Sequence, residues 1–210
     1  MNSIKLIYDT LLNYFGPQYW WPGDSTLEIC LGAILTQNTN WKNVEIAIKE
    51  LKQKKLLNLR KLNRISENEL ARLIKSAGYF NAKSKTIKNF IDEITQFEDG
   101  SLDTYFSQPT EILREKLLNL TGIGPETADS IILYAAEKPV FVVDAYTRRL
   151  VERHFGFSER AKYSEIQDFF MANLEDDPRL FNEFHALIVK LGKEFCKKHP
   201  RCFDCPLLHL

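Results

Sequence analysis

Four small groups of residues in this chain have side chains or backbone that could do chemistry. Asp144 ends an apolar run, Val140 to Val143, and stands at the head of a basic helical start, Tyr146-Thr147-Arg148-Arg149. Upstream, Leu120-Thr121-Gly122-Ile123-Gly124 joins two helical patterns through a glycine turn. Gly122 and Gly124 let the backbone turn at little steric cost and let another molecule approach it closely. Pro125 and Glu126 then suit the first turn of a helix, whose free N–H groups can hold one phosphate. Trp20, Trp21 and Trp41 offer electron-rich faces for stacking and cation–π contact. Cys196, Cys202 and Cys205 bring three thiols together as C-x5-C-x2-C near the end of the sequence, and Cys30 stands apart in an apolar helix pattern.

Helices must position these groups. Apolar spacing predicts helices over residues 3–15, with Ile4, Ile7, Leu11, Leu12 and Phe15 on one face, and then to about Gln37 after a cap at Asp24 or Ser25. The aromatic loop Tyr19-Trp20-Trp21-Pro22-Gly23 lies between them. Further helical patterns cover 40–54, 56–60, 66–76 and 81–97, the third opening on a capping box from Ser66 to Glu69. Residues 98–108 read as loop, with Gly100 and Pro109 as breakers. Helices then follow at 110–119, 125–136, 145–154, 163–174 and 179–195, and 138–143 is a short β-branched run that does not call for a sheet. The fold class expected is all-α.

Composition narrows the function. The 210 residues suit one large domain or two small ones, and 44% hydrophobic content can build a core. The formal charge is zero, so a polyanion must be met by local basic clusters. No apolar run approaches the ~18 residues of a membrane span, and the N-terminal pattern, containing Asp9, does not read as a signal peptide. The cysteine usage suits a reducing, intracellular compartment.

The hairpin, the spaced aspartate and the cysteines together resemble the helix–hairpin–helix DNA glycosylases, the superfamily that includes endonuclease III. In that family the hairpin reads L-P-G-V/I-G and holds the DNA backbone. An aspartate about twenty residues later, opening the next helix in V-D-T/A-H/Y, is catalytic; Asp144 matches it. The resemblance spans nearly the whole chain. It implies a bilobal fold: a six-helix lobe over about 25–136, with the hairpin motif near 110–136, and a second lobe from 1–24 with 137–210. DNA would lie in the cleft between lobes, with Asp144 at its edge.

Other motifs carry over residue by residue. Leu35-Thr36-Gln37-Asn38-Thr39 is similar to the turn whose glutamine wedges into the duplex where a base leaves, which implies that role for Gln37. Gly78-Tyr79-Phe80-Asn81-x-Lys83 resembles the family's G-Y/F-x-x-K stretch and adds Lys83 to a DNA surface with Gly122, Ile123, Gly124, Arg148, Lys198 and Arg201. The endonuclease III branch ends in C-x6-C-x2-C-x5-C on a [4Fe–4S] cluster. The resemblance implies that Cys196, Cys202 and Cys205 hold such a cluster in a C-terminal loop. This sequence departs twice: the first spacing is one shorter, and the fourth cysteine would fall at the residue after Leu210. His209 is a speculative fourth ligand, and zinc is the alternative metal.

Glu126 marks a third departure. Bifunctional members carry there a lysine that attacks the sugar C1′ and forms a Schiff base. A glutamate cannot, and Asp144 follows at the family spacing, so the chain is expected to be a monofunctional glycosylase that leaves an abasic site. The adenine-excising branch places an acid before its glutamine, and Leu31 to Thr36 contains none. A cationic alkylated purine such as 3-methyladenine needs no such proton donor. WWP, LTQNT and Trp41 resemble the bacterial endonuclease III-like 3-methyladenine glycosylases, which implies a base pocket of Trp20, Trp21 and Trp41. Two alternatives stay open: a monofunctional glycosylase for mismatched thymine or uracil, and a non-catalytic DNA-binding module. The expected partner is double-stranded DNA with a damaged base, met by a monomer in the nucleoid-bearing cytoplasm and away from any membrane.

Overall fold

A computed structural model describes residues 4–210, so Ser3 of the first predicted helix lies outside the described residues. These residues form twelve α-helices and no strand, and they divide into two units. One comprises the chain up to Trp21 together with Glu137–Leu210; the other is Pro22–Ala136.

The Pro22–Ala136 unit is built around α2 (Thr26–Leu35), whose sequence TLEICLGAIL is apolar nearly all round and buried from Leu27 to Leu35 except at Ile29. A helix without a polar face belongs inside. Ser25, not Asp24, caps it by accepting the Glu28 N–H. The unit continues with α3 (Trp41–Gln53), α4 (Leu59–Arg64), α5 (Glu67–Leu73), α6 (Phe80–Gln96), α7 (Leu102–Phe106), α8 (Thr110–Asn119) and α9 (Pro125–Ser130), the last running into a π turn at Ile131–Ala135. Of these, α3, α6, α9 and the π turn after α9 pack on α2, while α4 and α5 pack on α6, and α8 on α9. Two expectations are corrected. The helix expected at 56–60 starts later, because the Asn58 side chain accepts the Lys61 N–H and caps α4. The segment expected as loop contains α7, nucleated where Ser101 accepts the Thr104 N–H and Asp99 binds both residues. Its single turn is too short to show a period.

The other unit holds α1 (Ile4–Phe15), α10 (Ala145–Phe155), α11 (Tyr163–Asn173) and α12 (Pro178–Glu194). Ile4, Ile7 and Leu11 of α1 are buried, and α12 packs against both α1 and α10. The core is aromatic: Phe141 stacks on Phe170 at 4.0 Å and meets Phe181 and Phe184 edge-on. Residues 140–143 are extended and buried but pair with no strand. Side chains of α11 serve their backbone instead, with Gln167 donating to the Phe141 carbonyl at 2.7 Å and the Val143 N–H donating to the Tyr163 hydroxyl. Buried peptide groups need such partners, and these two fix the chain just before Asp144.

Candidate active site

Asp144 caps α10. Its Oδ1 accepts the Thr147 N–H at 2.7 Å, the usual work of an N-cap aspartate, and the helix dipole favours negative charge there. Its Oδ2 lies 3.6 Å from Nε2 of His185 on α12, where the two side chains are 14% and 4% exposed. Burial pushes the Asp144 carboxyl up, but the charge and contact of His185 and the bonds from Thr147 outweigh it, so the group sits below the ordinary carboxylate value. It is therefore held as an anion with little water around it.

Trp20 reaches the same place. Its ring stacks on the His185 imidazole at 5.5 Å and 11°, and on Trp21 at 5.3 Å. Three segments far apart in sequence thus supply one constellation of Asp144, His185 and a half-buried tryptophan pair. The sequence reading missed His185. Its only signal was a histidine inside the apolar run Phe184 to Val189.

The hairpin of the other unit is equally specific. Gly122 has φ +94°, and a Cβ there would strike the Thr86 hydroxyl, so glycine is required by both backbone and space. Gly124 is different: it has ordinary φ, and a Cβ would meet nothing. Both glycines and Glu126 are exposed, but Ile123 is not. Its side chain is 5% exposed and its N–H donates to the Leu120 carbonyl, so Ile123 is a structural part of the turn rather than a DNA contact. Arg114 grips the fully buried Asp129 through two bonds of 2.7 and 3.1 Å, joining α8 to α9 across the hairpin. Gln37 donates to the Gly122 carbonyl and to the Thr127 hydroxyl at 3.0 and 2.9 Å. The structure thus brings Gln37 and the hairpin together.

Lys83 is corrected. It is 2% exposed, and its ammonium donates to the Leu35 and Ala77 carbonyls, both at 2.8 Å. Burial lowers its pKa. The lysine closes the end of α2 from within and presents no charge to DNA. Trp41 begins α3 and lines a hollow of about 400 Å³ with Pro22, Glu28 and Lys52.

Arg148 donates to the Ala161 carbonyl and, with Arg149, Arg153 and the exposed Lys198, lines a basic hollow of about 270 Å³. Arg201 is exposed but pairs with Asp204 at 3.2 Å, which offsets its charge. Cys196, Cys202 and Cys205 line one hollow of about 400 Å³. Burial, then Cys196 and Cys202, push the Cys205 thiol up. Cys196 is engaged: Arg153 donates to its Sγ at 3.0 Å and Arg149 to its carbonyl at 2.8 Å. His154 also lines this hollow, with its pKa lowered by burial; the speculative His209 does not. Among the described residues no three such side chains are grouped closely enough to hold a metal. As arranged, the trio does not fit a four-thiolate cluster; Arg149 and Arg153 of α10 bind the loop at Cys196.

This helical fold and its paired motifs define a DNA-repair class. Residues 31–176 match the HhH-GPD superfamily of base excision DNA repair proteins, and the chain belongs to that superfamily as a DNA glycosylase. It is 46% identical over 98% of its length to a candidate DNA repair glycosylase, MJ1434, of Methanocaldococcus jannaschii, covering 94% of that protein. The solved 3-methyladenine DNA glycosylase of H. pylori, bound to 1,N6-ethenoadenine, superposes with a TM-score of 0.80 at 30% identity, over 92% of this chain and 98% of that one. A trapped endonuclease III–DNA intermediate shares the fold, with a TM-score of 0.83 at 21% identity over 100% and 96% of the two chains.

Proposed function

We propose that this protein hydrolyses the N-glycosidic bond of an N-alkylated purine in double-stranded DNA and releases the base to leave an abasic site. The observation that carries this is the ionised, rigidly held Asp144 beside the Trp20–Trp21 pair. As the base departs, the sugar becomes oxocarbenium-like. Asp144 stabilises that cation and orients the water that attacks C1′. A fixed anion in a partly dry site acts far more strongly than one in bulk water.

Support for the substrate comes from two sides. An alkylated purine is already cationic and leaves without a protonating acid, and tryptophan faces bind such a base by stacking and cation–π attraction. Likeness to the H. pylori 3-methyladenine DNA glycosylase points the same way. Glu126, exposed in the first turn of α9, occupies the position where an imine-forming lysine would stand, so the reaction proposed is hydrolysis alone. The exposed Gly122 and Gly124 amides, with Gln37 beside them, are the proposed grip on the DNA backbone.

The test is a panel of duplexes, each carrying one lesion. Release of 3-methyladenine or 7-methylguanine is expected. Release of thymine or uracil from mismatches, with no methylated purine, would overturn the substrate and favour a mismatch glycosylase. Binding without release of any base would favour a non-catalytic module.

A further inference from the structure

We propose that His185 is the positioning residue of the Asp144 carboxylate: with Thr147 it holds both carboxylate oxygens, while Trp20 holds the imidazole. The proposal rests on the reading of Asp144 as the catalytic anion.

The geometry is specific. Thr147 takes Oδ1 from Asp144's own helix, and His185 approaches Oδ2 from α12 at 3.6 Å. The Thr147 bond alone leaves Oδ2 free to turn about Cβ–Cγ; the electrostatic contact with His185 on Oδ2 disfavours that rotation. The imidazole is fixed in turn by the Trp20 face at 5.5 Å and by the Phe141 ring edge-on at 6.5 Å. It is 3% exposed, among the apolar residues of α12.

The neighbouring charges point elsewhere. Arg148 is bound to the Ala161 carbonyl, and Arg149 is bound to the Cys196 carbonyl and stands over Tyr146. The Tyr146 ring itself packs against Gly192 of α12. On α12 it is His185 that faces Oδ2. Burying a polar ring is costly unless it gains a partner. Packing alone would be served as well by phenylalanine. What phenylalanine lacks is the nitrogen facing Oδ2.

A pair of variants separates positioning from packing. His185→Phe keeps the aromatic face and loses the nitrogen; His185→Gln keeps a polar N–H near the place of Nε2 and loses the face. Single-turnover excision on a methylated duplex should fall roughly 10- to 100-fold in His185→Phe, as for residues that orient a reactive group. Affinity for an abasic duplex should hold. His185→Gln should recover most of the rate although it packs less well.

A second readout needs no substrate. With ¹³C-labelled aspartate, the Asp144 signal, assigned by its loss in Asp144→Asn, should titrate at higher pH in His185→Phe than in the wild type. An unmoved titration overturns the proposal, as does His185→Phe matching the wild-type rate. So does a ranking in which His185→Phe is active and His185→Gln is not, since packing alone predicts that order. If the wild type excises no base at all, the glycosylase reading fails, and the carboxylate titration still decides whether His185 holds Asp144.

Discussion

The surroundings of Asp144 and the glycine hairpin are both specific, but they are built in opposite ways. Around Asp144, side chains from three distant segments converge: Trp20, Asp144 and His185. At the hairpin, backbone does most of the work. Gly122 is fixed by φ and by Thr86, the Ile123 N–H closes the turn on Leu120, and Gln37 is tied to a backbone carbonyl. One region places a charge and the other places a shape. Substitution in the first should therefore cost rate, and substitution in the second should cost stability or DNA affinity.

The largest effect expected is that of Asp144→Asn. Asparagine is as good an N-cap as aspartate, so α10 should keep its start and the protein its melting temperature. Excision should fall roughly 10²- to 10⁴-fold in single turnover because the charge is gone. A large loss of melting temperature would mean that Asp144 serves structure first, and the contrast between the regions would fail.

Gly122 and Gly124 sharpen the contrast inside the hairpin. Gly122→Val forces a β-branched residue to positive φ and against the Thr86 hydroxyl, and should destabilise the fold by about 1–3 kcal/mol or more. Gly124→Val meets open space at an ordinary φ. It should leave thermal unfolding nearly unchanged yet weaken binding to abasic DNA. Equal DNA affinity in the folded Gly124→Val protein would show that the exposed turn does not touch the backbone of the duplex.

Lys83→Met should also cost about 1–3 kcal/mol, because it leaves the buried Leu35 and Ala77 carbonyls unpaired. DNA affinity and its salt dependence should not change, since a lysine that neutralised a phosphate would flatten the salt slope when removed. The smallest effect is acidic. Asp144 has a folded pKa below its unfolded one, so its contribution to stability is fully present above the unfolded value, about 3.9, and is lost as pH falls through the lower folded value. The wild type should therefore lose slightly more melting temperature than Asp144→Asn as pH falls through that range, the two being close at neutral pH.

What the sequence revealed follows the same division. The helices, the hairpin and the N-cap place of Asp144 are local patterns of period, glycine and capping residue, and they were legible. The α7 turn was not, because one turn has no period. His185 was not, because nothing in the run Phe184 to Val189 says which residue 41 positions upstream its ring will meet. Lys83 misled for a related reason. A lysine in a helix pattern reads as surface, and only the packed structure shows two carbonyls taking its protons. The cysteines' gathering at one hollow was legible from their spacing; the bond from Arg153 to Cys196 was not, because it joins residues 43 positions apart.

The most direct test of the account is a methylated duplex incubated with wild-type protein and Asp144→Asn, with and without borohydride, followed by analysis of both bases and strands. The account predicts free 3-methyladenine or 7-methylguanine from the wild type, an intact abasic strand, no trapped adduct, and almost no release from Asp144→Asn. A borohydride-trapped protein–DNA adduct, or equal release by the two proteins, would contradict it.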